Sequence, residues 1–550
     1  MKGKKIVSTL LALLLLASLP VSALAAEWDI SKGDITVNAG SGGQTVTQGG
    51  GAAVVDSAPV ITGSSQDNTL TINAEKDQTA SVTLSGVSID VSSAGKAAVS
   101  TNGEGNVSIE LDGENTLKSG EDHAGLEKNN GGKLTIADED KNGKLTAEGG
   151  EFGAGIGGGY EGNGNNIAIS GGEVTAIGGE EGAGIGGGAA DGNGNNIAIS
   201  GGEITAIGGL GGAGIGGGSN GIGNNITISG GKIKATGGDL GGAGIGGGSA
   251  GDGSDITISG GEVTAIGGEE GAGVGGGRDG SGNNIAISSG VVTAIGGEFG
   301  AGIGGGGWYG SGSNIIISGG EVKAIGGVNG AGIGGGRWGK GKDITVSGVA
   351  KLKVQGGVED DYDGVGAGIG DGGSNADGSQ IPGAEVEPDT SGLLTTGWIE
   401  YYAPGADMEK DKPTSTTFGT SSQPEKPIEP AVPEQPEAER GMDAPLYRVT
   451  GKDGRDIAYM AEQKGGVLTV TVDEDFAVLT GSLSGMTALK AQGVEKLVFV
   501  TKGATSAFLL SDLLGKGESG ESYWLTHDGK AVTFTLGESM TDVSAILTKP

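Results

Sequence analysis

The chain has no cysteine in its 550 residues. That excludes disulfide staples, thiolate-ligated metals and lipid attachment through a thiol. Histidine is nearly absent: His123 and His527 stand far apart, too few for a histidine-rich metal site. With no base beside them in sequence, the many serines and threonines read as turn formers and strand-face residues, and no enzymatic activity is expected. Basic residues are also scarce, 34 Lys+Arg against 68 Asp+Glu. This argues against nucleic acid, whose phosphates require a basic surface. The acidic excess serves solubility, or supplies carboxylates for calcium.

Apolar runs long enough to span a bilayer are missing from the body of the chain. The start, MKGKKIVSTLLALLLLASLPVSALAA, has three lysines, a short apolar run and small residues. That order describes a secretory signal peptide over residues 1–25, with cleavage after Ala25 and a secreted or extracellular location, cell-surface association included. No LPxTG-type sorting motif follows.

What the chain has in excess is glycine, 125 residues, against a usual share of about 7%. The glycines keep register. GAGIGGG or GAGVGGG begins at Gly153, Gly182, Gly212, Gly242, Gly271, Gly300 and Gly330, and a degraded GAGIGDG at Gly366. The seven complete copies, 29 or 30 residues apart, identify a solenoid rather than a disordered tract. Each complete copy contains G-x-G-x-x-G, the spacing of a dinucleotide loop. Seven complete copies with no helix after them serve a corner instead, and no nucleotide is expected.

Within a unit, apolar residues alternate. Ile197 and Ile199 share one side, as do Ile204 with Ala206 and Ala183 with Ile185. Three short period-two runs per unit predict a mainly β fold, a parallel β-helix in its usual right-handed form, spanning 27–405 with caps and glycine-rich repeats over about 150–373. Two columns stand out. Asn166, Asn196, Asn225, Asp255, Asn284, Asn314 and Asp343 precede the I-x-[IV]-S strand, where Asn suits left-handed backbone and stacked amide bonding. Glu173, Glu203, Lys232, Glu262, Val291 and Glu321 form an outward column, read as a solvated face rather than a calcium ladder. Looser segments at Leu70, Val82, Val107 and Leu134 read as N-terminal coils and a cap, and GWIEYYAPGAD as the opposite cap.

A Pro/Glu/Ser/Thr-rich linker occupies 406–443. Residues 444–550 predict a small α+β domain, with strands in GGVLTVTVDEDF and VEKLVFVT, a helix in TSAFLLSDLLGKG and a hairpin around Asp528-Gly529.

Candidate binding residues lie where the repeat varies, in the loop after GAGIGGG. Tyr160, Trp308, Tyr309, Arg337 and Trp338 occur there. Trp308 and Trp338 each stand eight residues after their motif start, so they are expected one above the other with Arg337 beside them. Aromatic faces stack on sugar rings, and they also pack on each other. The insertion EDDYDG offers Asp360, Asp361 and Asp363 as calcium ligands, although no cofactor is required.

Val82–Gly125 (VTLSGVSIDVSSAGKAAVSTNGEGNVSIELDGENTLKSGEDHAG) resembles a secreted bacterial carbohydrate-binding family over roughly residues 60–150. The matching residues, Gly86, Val87, Ile89, Ala97, Ala98, Gly113, Asn115 and Leu117, are scaffold positions, so no binding residue carries over. The resemblance implies a right-handed parallel β-helix that binds plant-type polysaccharide, with calcium in some members. The expected function is non-catalytic binding of a polysaccharide or cell-wall glycan. A structural or adhesive surface stalk is the alternative, with a lyase or hydrolase behind it. Ice binding through Thr175, Thr205, Thr264 and Thr293 is interrupted by Lys234 and Lys323.

Overall fold

The computed structural model describes residues 26–376, 379–420 and, with short interruptions, 447–548. The expected signal peptide, residues 1–25, and residues 421–446, which include most of the expected linker, lie outside the described residues. The chain divides into two units, Met1–Lys426 and Pro427–Pro550.

The first unit is a parallel β-solenoid with three sheets of 14, 12 and 13 strands. One glycine-rich coil contributes Ile185–Gly186, Gly194–Ile199 and Glu203–Ile207, one strand to each sheet. The next coil repeats them in register, with Ile185 against Ile215, Ile197 against Ile226 and Ile204 against Ile233. The alternating residues point inward as expected: Ala183, Ile185, Ile197, Ile199, Ile204 and Ala206 are all buried. Burial of each isoleucine is worth about 1.5–3 kcal/mol relative to exposure. Among the described residues this core is aliphatic, and Trp28 and Tyr401 pack on it only partly buried, near its two ends.

Both columns read from sequence are present. The Asn/Asp column has φ between 51° and 59° at all seven positions. Its amides bond from coil to coil, Asn196 to Asn166 at 3.0 Å and Asn225 to Asn196 at 2.6 Å. Asp255 lacks a donor for Asn225, so the ladder restarts with Asn284 donating to Asp255 at 2.9 Å. The outward column mixes signs: Glu173 pairs with Lys144 at 2.8 Å and Glu203 with Lys232 at 3.0 Å. It is a solvated ion-pair row whose exposed pairs add little stability.

The GAGIGGG corner explains the glycine content. Gly184 and Ile185 donate to the Ala213 and Gly214 carbonyls of the next coil, both at 3.0 Å. A Cβ on Gly184 would stand 2.6 Å from the Gly214 oxygen, so the coils approach only without one. Gly186, at φ +138°, repeats the constraint two residues further on against the Gly216 carbonyl.

The equivalents of Gly184 and Ile185 donate forward in each glycine-rich coil, so at the last coil the N–H groups of Gly368 and Ile369 have no carbonyls to meet. Glu385 supplies them: its carboxylate accepts from Gly368 at 2.8 Å and Ile369 at 3.2 Å. At the other end the antiparallel strands Ile35–Gly40 and Gly43–Gln48 cover the first coils. The solenoid runs past residue 405, because Ser415–Phe418 pairs antiparallel with Trp398–Tyr402. This β-branched run escapes the proline-rich composition that follows it, so the linker begins later than its composition indicates.

The second unit has two five-stranded sheets. Helical residues Leu483, Met486 and Leu489 are buried, and a helix spans Leu510–Leu514, giving the expected α+β content. The helix expected across TSAFLLSDLLGKG starts late. Thr505–Leu509 is instead a strand pairing with Lys496–Val500, because cross-strand pairing that buries Ala507 and Phe508 overrides local propensity. The hairpin turns at Gly529-Lys530, one residue later than expected, with Gly529 at φ +59°.

Gly184→Ala is expected to cost about 3 kcal/mol or more, since the obstructing atoms are backbone. Gly95→Ala, where a Cβ meets nothing within 4 Å, should be near neutral. Chemical denaturation of both variants checks the difference.

Candidate functional site

Every glycine-rich coil carries two loops at this corner, one before and one after GAGIGGG. Backbone bonds tie the first loop of one coil to the second loop of the next. Arg278 N–H donates to Gly241 at 2.7 Å, Gly307 to Glu270 at 2.6 Å and Arg337 to Phe299 at 2.9 Å. The loops therefore form a continuous ridge whose side chains stand on fixed backbone.

Four of the five expected aromatic-site residues meet at its C-terminal end. Trp308 and Trp338 lie edge to face, with ring centroids 5.0 Å apart at 77°. The vertical partner of Trp338, however, is Tyr309. Gly310 and Gly339 occupy equivalent positions, and the residues before them, Tyr309 and Trp338, have φ of +59° and +61°. The extra Gly307 in this coil shifts the register by one, which equal spacing from the motif start cannot reveal. Trp308 is turned aside and donates from Nε1 to Glu270 at 2.6 Å. Tyr160 does not join the cluster; five coils away, it packs on Phe152 with centroids 5.6 Å apart.

Arg337 sits inside the cluster rather than on its surface. Its Cζ lies 4.7 Å from the Phe299 ring centroid, 5.1 Å from Trp308 and 4.5 Å from Trp338. Its Nε donates to Asp363 at 2.6 Å, and Trp338 Nε1 donates to the other Asp363 oxygen at 3.0 Å. Asp363 is fully buried, and Asn329 fastens the loop by donating to the Asp363 and Gly364 carbonyls. Removing one member of such a buried pair costs about 3–5 kcal/mol.

That commitment bears on the calcium expectation. Asp363 serves Arg337 and Trp338, while Asp360 accepts from the Tyr362 and Asp363 amides and Asp361 is exposed. The three do not converge. Among the described residues, the carboxylates gathered with oxygens within 4.8 Å are Glu110, Asp138 and Asp140. Asp138 begins D-x-D-x-N-G, with Asn142 and Gly143, a spacing shared with calcium loops. Glu110 comes from the preceding coil, so the grouping was hidden in sequence. Burial first, and then the adjacent carboxylates, push the Glu110 carboxyl above its usual range. These residues could hold a divalent cation.

The remaining surface of the aromatic cluster is a cleft of about 530 Å³. Tyr309 and Tyr362, 68% and 70% exposed, line it together with Trp338, Ser374 and Asn375. Tyr362 belongs to the EDDYDG insertion, noticed in sequence for its acids and not for its ring.

In the second unit, folding places hydroxyls beside a histidine, which the sequence alone does not show. His527 Nε2 lies 2.8 Å from Ser506 Oγ and Nδ1 lies 3.0 Å from Thr501 Oγ1. All three are buried, and they join the two sheets as a sealed polar bridge. Burial pushes the His527 imidazole down to about 4.

A family model of the β-helix repeat matches residues 141–160, 167–189, 197–219, 226–249, 256–278, 285–307 and 315–337. The matches fall on the glycine-rich coils and support a parallel β-helix protein. No curated protein and no solved structure matches the chain.

Two outcomes are expected. Glu110→Gln should raise the melting temperature in chelator by removing repulsion, and should lower it in calcium where the carboxylates hold the ion. For His527, the unfolded pKa near 6.5 exceeds the folded one, so its contribution is complete above about pH 6.5. It is lost as pH falls toward 4, by roughly 3 kcal/mol. Denaturation of wild type against His527→Gln across that window measures the difference.

Proposed function

We propose that the solenoid binds a polysaccharide without chemically altering it, at the cleft of Tyr309, Trp338 and Tyr362. The observation that carries this reading is the pair of tyrosines, each about two-thirds exposed, that line one cleft with a tryptophan whose edge is fixed to buried Asp363. Large rings normally seek burial. Here they stand on a rigid ridge, two of them in left-handed backbone that costs a non-glycine residue about 1–2 kcal/mol. Sugar C–H faces suit such rings, and Ser374 and Asn375 supply hydrogen-bonding groups at the same opening. The resemblance of the N-terminal coils to a carbohydrate-binding family points the same way, and export through the N-terminal segment would bring the cleft to extracellular glycan.

The site so defined differs in part from the residues named in sequence. Arg337 and Trp308 are its foundation, and Tyr309, Trp338 and Tyr362 are its contact surface. Calcium, where bound, belongs to the separate carboxylate cluster and is not a part of the cleft.

Tyr309→Ala should weaken glycan binding about tenfold, or roughly 1.4 kcal/mol. Tyr309→Asn, which suits the left-handed backbone, should weaken binding equally while leaving the melting temperature unchanged or raised. Affinity electrophoresis against a polysaccharide panel, with thermal denaturation alongside, reads both. Retention that is the same in wild type and both variants would end this reading.

A further inference from the structure

We infer that the cleft selects single, uncharged glycan chains, and rejects both acidic polysaccharides and the flat faces of crystalline ones. This rests on the cleft being a glycan site, and concerns which glycans it takes.

The first argument is charge. Arg337 is the cation lining the cleft, and its guanidinium is enclosed by rings and paired with buried Asp363. Lys340 pairs with Asp371 at 2.8 Å and Arg278 with Glu270 at 2.9 Å, and neither they nor the exposed Lys342 lines the cleft. The neighbouring carboxylates of Glu359 and Asp361 are exposed, and no ion pair engages them among the described residues. The whole chain carries −34. A uronate or sulfate entering here would leave water for a negative field without an unpaired cation in the lining to meet it, which opposes binding. Neutral hydroxyls incur no such cost and can donate to the Ser374, Asn375 and tyrosine oxygens.

The second argument is shape. A crystalline face touches several rings at once only when those rings are coplanar. Tyr309 and Trp338 are tilted by 47° with centroids 5.1 Å apart, and Trp308 meets Trp338 at 77°. Asp363 holds the Trp338 edge, and the backbone ridge holds Tyr309, so flattening would require breaking both. Angled walls around a cleft of about 530 Å³ fit one chain, with successive sugar rings turned against each other.

Affinity electrophoresis of the mature protein through soluble β-glucan, xyloglucan and polygalacturonate, with sedimentation on microcrystalline cellulose, tests the inference. Tyr309→Ala and Tyr362→Ala run alongside. The expected result is retardation by at least one neutral soluble chain, reduced about tenfold in both variants. Polygalacturonate should not retard the protein, and cellulose should bind no more to wild type than to the variants. Glu359→Gln with Asp361→Asn should leave neutral-chain binding intact and begin to admit polygalacturonate. Retardation by polygalacturonate, or sedimentation with cellulose, that is lost in the tyrosine variants would overturn the inferred selectivity and leave a glycan site standing. Absence of binding to every glycan, or binding indifferent to both tyrosines, would overturn the glycan site itself.

Discussion

The close approach of backbones at the GAGIGGG corner governs this molecule. Carbonyl oxygens of one coil occupy the space where the neighbouring coil would carry a Cβ, so the forward N–H bonds of Gly184 and Ile185 form only when glycine stands there. Glycine weakens an ordinary strand. Here each one admits a hydrogen bond and lets the isoleucine columns meet at full contact. Because the constraint recurs every coil, it fixes a spacing along the whole array, which the Asn ladder and the ion-pair row then follow.

The same directionality explains the ends. The row in which the equivalents of Gly184 and Ile185 donate to the next coil leaves two donors at the last coil, and Glu385 answers them with two carboxylate oxygens. Aromatic rings stand against the core near its ends and in the corner loops. The corner is where the backbone is both rigid and outside the core, and it is therefore where a side chain can be held in place and still face solvent. The C-terminal aromatic cluster exploits that: buried Asp363 and enclosed Arg337 fix the foundation, and Tyr309 and Tyr362 are left standing above it.

Buried polar groups elsewhere show how differently the N-terminal coils and the second unit are built. Glu127 takes the register position held by Gly157 in the next coil. It accepts from Asn129 and the Ala124 amide beside His123. Burial pushes the adjacent Lys128 ammonium down to about 8, while its Nζ donates to the Asn130 carbonyl. In the second unit, His527 bridges two sheets through Ser506 and Thr501. Each cluster fixes one local arrangement, whereas the glycine-rich array repeats one arrangement many times.

Period-two alternation and the 29–30-residue spacing by themselves determined the solenoid, its inward residues and the left-handed Asn column, because these follow from local backbone geometry repeated in register. Sequence also directed attention to the variable corner loop. It could not align Tyr309 with Trp338, since one inserted glycine shifts the loop without altering the coil. Nor could it show that Asp363 partners Arg337, 26 residues away, that Glu110 joins Asp138 and Asp140, or that Ser506 meets His527. Those pairings join residues from different turns of the chain, and coil stacking or sheet packing alone brings them within bonding distance.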